Sequence, residues 1–109
     1  MSDITLGSFE ELVLLAVCVV GDEAYGVRVL AEIQEQTGRD VSLGAVHATL
    51  YRLQEKGLLT SRLDDRAALE TGRVRRYFRI TPAARRRLKE SRRALLRLWE
   101  GLEATLDRR

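Results

Sequence analysis

Few residues in this chain have side chains and spacings suited to chemistry, and arginine dominates them. The 109 residues include a single histidine, His47, and a single cysteine, Cys18. They fall in what read as different helices, so they do not suggest a metal site. There is no glycine-rich phosphate loop and no nucleophile elbow. The acidic pairs Glu10-Glu11 and Asp64-Asp65 are adjacent in sequence, not separated as a hydrolytic acid and base must be; helix capping and loop solvation account for them. No enzymatic activity and no cofactor are expected. What remains is the arginine-rich stretch from Arg62 to Arg97, in a chain of formal net charge +3 whose first third is acidic or neutral. A guanidinium fork makes paired hydrogen bonds to phosphate or carboxylate. A solvated basic surface is the plainer account of such a run.

The elements that would position those arginines can be read from periodicity. The length fits one domain with a modest core, which a partner subunit would help to stabilise. Ser8-Phe9-Glu10-Glu11 has the form of a capping box, predicting a helix from Ser8 to about Val20. That helix is apolar on nearly every side and needs cover all round, part of it from a second subunit. Cys18 lies in its apolar run and is expected to be a small buried hydrophobe. The run is too short to span a bilayer and lacks the basic flank of a signal peptide, so a cytoplasmic protein is expected.

A second helix is predicted from about Tyr25, with Val27, Leu30 and Ile33 at helical spacing and Gly38 as its stop. Ser42 is a plausible N-cap for a third helix, in which Leu43, Val46, Leu50 and Leu53 form one apolar stripe and Gly57 closes the end. Gly44, Ala45, Ala48 and Arg52 fall roughly opposite that stripe, with His47 and Thr49 at its edges. The outward face of the first two turns is therefore small and nearly smooth, as a helix entering a groove about 12 Å wide requires. An ordinary solvent face would carry more Glu and Lys.

Leu58–Leu63 and Val74–Ile80 read as two strands, joined by the polar stretch Asp64–Arg73 as a long basic tip. Alternation places Arg75, Tyr77 and Arg79 on one face of the second strand and Arg76, Phe78 and Ile80 on the other; either face could meet a partner. Thr81-Pro82 starts a long last helix, on which Leu88, Leu95, Trp99, Leu102 and Leu106 make a heptad-like seam. The expected fold is mostly α with a small β-hairpin: a winged helix-turn-helix (α-α-α-β-β-α) over residues 1–81, and a C-terminal dimerisation helix over 82–109 forming one compact unit with it.

Four segments, in order, resemble the PadR family of transcriptional regulators over nearly the whole length: Ala24-Tyr25-Gly26-Val27, Val41-Ser42-Leu43-Gly44, Leu50–Leu59 (LYRLQEKGLL) and Gly72–Thr81 (GRVRRYFRIT). The short C-terminal region is similar to the compact branch of that family, with a single helix after the wing. The resemblance implies a homodimeric repressor, one winged helix-turn-helix per subunit, bound to a palindromic operator in double-stranded DNA. The expected DNA contacts are Ser42, Gly44, Ala45, His47, Ala48, Thr49 and Arg52 on the recognition helix, and Arg66, Arg73, Arg75 and Arg76 on the wing. The expected dimer contacts are Leu12, Leu15, Leu88, Leu95, Trp99, Leu102 and Leu106. The family commonly has tyrosine where this chain has His47, which would either touch DNA or pack at the edge of the stripe. Trp99 would be an interface packing residue or, as in some compact relatives, part of a pocket for a planar hydrophobic effector. Two other readings share the fold: a winged-helix protein–protein interaction module without DNA binding, and a regulator of another group such as the MarR-like one, which usually has extra helices ahead of the domain.

Overall fold

The computed structural model describes residues 6–72 and 74–107. Its elements run α1 (Ser8–Val20), a 3₁₀ turn (Gly21–Glu23), α2 (Gly26–Thr37), α3 (Leu43–Glu55), β1 (Leu59–Asp64), α4 (Arg66–Thr71), β2 (Arg75–Ile80) and α5 (Pro82–Leu106). The expected class, mostly helical with one hairpin, is the class observed.

Local chemistry explains where most elements begin and end. The Ser42 hydroxyl accepts from the Ala45 N–H at 3.0 Å, capping α3. Thr81 does the same for α5 through the Ala84 N–H at 3.2 Å, with Pro82 at the first helical position. Gly38 ends α2 at φ +68°, a left-handed conformation that costs other residues about 1–2 kcal/mol. The start of α1 differs from the sequence reading. Its N-cap is Gly7, and Glu10 rather than Glu11 turns back, accepting from the Gly7 N–H at 2.9 Å. Glu11 instead accepts from the Ser91 hydroxyl on α5.

Val13, Leu14 and Val17 of α1, Val29 and Ile33 of α2, and Val46, Leu50 and Leu53 of α3 bury together with Leu58, Leu59 and Phe78 of the hairpin. Val27 does not join them. Val29 takes the inward position on α2, and Val27 is exposed. Cys18, expected inside, is exposed as well, because α1 is covered on one side only and Leu15, Cys18 and Val19 lie on the open side. The stripe on α3 matches expectation at Val46, Leu50 and Leu53.

The strands pair antiparallel from Leu59 opposite Ile80 to Asp64 opposite Arg75. Each starts one residue later than expected, and the tip between them contains the short helix α4 rather than a plain loop. One bond ties the hairpin to the segment before α2, and another extends its ladder by a rung. The Phe78 N–H donates to the Ala24 carbonyl at 2.8 Å, and the Thr81 N–H to the Leu58 carbonyl at 3.1 Å. From there α5 leaves the body. Ala84 is buried and Leu88 packs against the core, but the side chains beyond Ser91 are exposed. The molecule is accordingly elongated, 62 Å along its longest axis and 20 Å along its shortest.

Candidate nucleic-acid interface

On α3 the exposed residues of the first two turns are Ser42, Gly44, Ala45, His47 and Ala48. All but His47 are small, so this face is as smooth as the sequence suggests. His47 lies at its edge, with its imidazole against the start of α2. A Cβ built on Gly26 would come within 2.1 Å of His47 Nε2, so the missing side chain at Gly26 is what admits the ring. One turn further along, Tyr51 is 47% exposed and meets the buried Phe78 edge to face at 5.8 Å between ring centroids.

Two of the expected contacts on α3 stand apart, Thr49 because it is buried and Arg52 because it is engaged by the body. Thr49 is 1% exposed and belongs to the interior, because α3 is covered by the body on that side as well as along its apolar stripe. Arg52 is exposed, as expected, but its guanidinium is drawn sideways to α1. Its Nε donates to Glu10 Oε2 at 3.3 Å and its Nη2 to Thr49 Oγ1 at 3.3 Å. Lys56 reaches the same carboxylate at 2.8 and 2.9 Å. Burial pushes the Glu10 carboxyl up, but hydrogen bonds from Lys56, the Gly7 N–H and Arg52 outweigh it and hold the group below its ordinary value. Glu10 thus fastens α1 to α3.

The wing arginines are positioned by aromatic rings. Arg75 lies over Tyr25 at 4.3 Å, Tyr25 meets Tyr77 edge to face at 5.6 Å, and Arg62 lies over Tyr77 at 4.8 Å. This ladder leans the hairpin against the residues that open α2, and Arg79 adds an exposed pair with Asp22 at 3.1 Å. On the other side of the hairpin, Arg76 Nη1 donates to Ser61 Oγ at 2.9 Å and Ser61 in turn to Gln54 Oε1 at 2.6 Å. Arg66, on α4, pairs with Asp64. The Asp64 carboxyl is held low by the Arg66 backbone N–H, helped by the Arg66 and Arg62 guanidiniums. Arg73 lies outside the described residues.

Between α3, the start of α2 and β2 opens a cleft of about 450 Å³ with Tyr25, Gly26, His47, Tyr51, Arg75 and Arg76 around it. The sequence reading missed Tyr25 and Tyr51 as site residues. Tyr51 was within reach of it, four residues after His47 and so on the same side of the helix. Tyr25 was not, because its partners lie some fifty residues away across the fold.

A second feature lies on the opposite side of α1. Leu15 and Cys18 with Leu88, Leu95 and Leu96 line an open apolar groove between α1 and α5, and Arg85, Lys89 and Arg92 stand along it. Trp99, Leu102 and Leu106 continue the exposed apolar surface toward the end of α5, while Leu12 is half-buried in α1.

Residues 14–90 match the model of the transcriptional regulator PadR-like family. The chain belongs to this family. A transcriptional regulator of Mycobacterium tuberculosis is 40% identical over 74 residues, which cover 68% of the present chain and 64% of that protein, so the likeness extends over less than two thirds of the relative's length. Among solved structures, a PadR family regulator from Eggerthella lenta superposes with a TM-score of 0.70 at 24% identity, covering 90% of this chain and 83% of the other. A PadR-like regulator from Bacillus cereus gives 0.73 at 21% identity, with 93% of each chain covered. A protein from STIV, described as a winged-helix DNA-binding protein, gives 0.63 at 13% identity, covering 84% of this chain and 91% of that one. At these identities the structures establish the fold, a PadR-like winged helix, and the hairpin β1–β2 is its wing.

Proposed function

We propose that this PadR-like protein is a homodimeric repressor of transcription that binds a palindromic operator in double-stranded DNA. The observation that carries the reading is the outward face of α3. Ser42, Gly44, Ala45 and Ala48 form a small, exposed surface free of long side chains, flanked by Arg75 and Arg76 of the wing. Such a helix fits the major groove without steric cost, and the arginines beside it supply the cations that neutralise phosphates. Dimerisation would use the groove between α1 and α5 and the exposed stripe Leu95, Trp99, Leu102 and Leu106. A lone terminal helix with that much apolar surface in water needs a partner. Trp99, 57% exposed, packs in that interface and is the natural contact for a planar hydrophobic effector that would relieve repression. Among the described residues no helix is long and apolar enough to cross a membrane; a cytoplasmic location fits the proposed role.

The test is binding of the purified chain to random-sequence duplex as salt is varied, followed by selection of the bound sequences. A steep fall of log affinity with log salt, and recovery of a two-fold symmetric motif with half-sites about 34 Å apart, is the expected result. Weak binding with no enriched motif would favour the protein-interaction module instead. For the effector, Trp99 is the only tryptophan, so its fluorescence reports directly on a titration with planar aromatic compounds. An unchanged signal throughout would remove the pocket.

A further inference from the structure

Two adjacent carboxylates on α1 face different parts of the molecule. Neighbouring residues of a helix point about 100° apart. Glu10 turns to α3, where it holds Arg52 at 3.3 Å and Lys56 at 2.8 Å. Glu11 turns to α5 and accepts from the Ser91 hydroxyl. A single residue step of α1 therefore joins the recognition helix on one side to the terminal helix on the other.

The two joints differ in stiffness. Beside Glu10, α1 and α3 also share buried apolar side chains, Val13, Leu14 and Val17 with Val46, Leu50 and Leu53. A contact packed to that density does not yield to small forces. On α5, Ala84 is buried and Leu88 packs against the core, but Ser91 makes the last hydrogen bond to the body among the described residues. Every described side chain after it is exposed. Arg87 lines the space beside Glu11 and Ser91, yet its buried Nε has no hydrogen-bond partner among the described residues. One bond completes the fixing of α5 at the point where it leaves.

Length gives that bond leverage. At 1.5 Å per residue, the helix from Ser91 to Leu106 is about 22 Å long, so a swing of about 10° at Ser91 moves its end by about 4 Å. One base-pair step of duplex is about 3.4 Å. In a dimer held through α5, so small a swing changes the separation of the two α3 helices by about one such step.

We propose that the Glu11–Ser91 bond is a positioning contact: it sets the angle at which α5 leaves the body, and through that angle the half-site spacing that the dimer accepts. The inference rests on the dimeric, operator-binding reading above. Neither residue touches DNA. Base preference stays with α3 and spacing falls to the joint between α1 and α5, so the two properties are separable.

The experiment uses the full chain, the operator selected above, and versions of it with one base pair added or removed between the half-sites. For the parent, each change should weaken binding about tenfold, the factor that breaking one hydrogen bond to a charged group corresponds to. Ser91→Ala puts a good helix former at the position and removes only the hydroxyl. It should cut that penalty to about threefold and leave the selected half-site bases unchanged. Glu11→Ala should act in the same way, and the double variant should go no further, as the two ends of one bond require. Ser91→Thr keeps the hydroxyl and should keep the parent's spacing. Thermal melts of each variant check the fold. A Ser91→Ala protein that retains the parent's penalty, or that loses affinity equally at every spacing, overturns the proposal and leaves the dimeric reading intact, as does a parent indifferent to spacing. A parent that selects no two-fold motif overturns both.

Discussion

In the winged body, Val13, Leu14, Val29, Val46, Leu50, Leu53 and Leu58 are all fully buried, whereas along the 25 residues of α5 only Ala84 is. Leu95, Leu96, Leu98, Trp99, Leu102 and Leu106 all remain exposed. The two regions have been given apolar residues for different purposes. The body closes its core within one chain, through three helices whose stripes converge beneath a hairpin. The last helix keeps an apolar surface on a segment that its own chain does not cover. An apolar helix surface gains stability when something packs against it, so the body carries the fold, and the exposed stripe on α5 is what the proposed dimer would cover.

The comparison breaks if a core deletion in the body behaves like a deletion on α5. The largest expected effect is Leu50→Ala, which removes a fully buried side chain and should cost about 2–5 kcal/mol, seen as a lower melting temperature at every protein concentration. Next comes Glu10→Gln, which strips the carboxylate that holds Lys56 and Arg52. About 1.5–3 kcal/mol is expected, the range for hydrogen bonds to a charged group. Glu10 also gives the body a pH signature. Because its folded value lies below the ordinary 4.5, its contribution is complete above that value and is lost as pH falls through the lower, folded one. The melting temperature of the parent should therefore drop in acid more steeply than that of Glu10→Gln; parallel curves would show that the clamp adds nothing.

Leu102→Ala sharpens the other side of the comparison. If the proposed dimer forms through α5, the substitution should raise the dissociation constant about tenfold, measured by sedimentation, and leave the melting temperature of dilute protein almost unmoved. An unchanged association would place the partner elsewhere. The smallest effect belongs to Arg79→Ala, which removes an exposed pair with Asp22 and should change stability by less than about 0.5 kcal/mol.

The sequence made the helices legible because their boundaries rest on local chemistry. Ser42, Thr81-Pro82 and Gly38 each act within a few residues, and the apolar stripe of α3 declares its inward face. Three errors share a cause. Cys18, Val27 and Thr49 were placed by hydrophobicity or by a helical wheel, and neither shows how much of a helix its neighbours will cover. The exposed position of Arg52 follows from its angle on the helix, but its partner does not. Its contact with Glu10, far away in sequence, is revealed only once α1 and α3 pack. The PadR-like resemblance was readable from four short segments, whereas the aromatic ladder from Arg62 to Arg75 was not, since it joins Tyr25 to Tyr77 across the fold. The helix at the wing tip escaped notice because Arg66–Thr71 is too short to show a period.

The close approach of His47 to Gly26 reaches beyond this one chain. A Cβ at position 26 would fall 2.1 Å from His47 Nε2, so a side chain there would compete with the ring for one volume. Substitution at position 26 is therefore conditional on position 47: a lineage that gains a side chain at 26 must shrink the residue at 47 or swing its ring aside. Across relatives the pair should vary as a unit, and a library randomised at both sites together should recover combinations that neither single-site library contains.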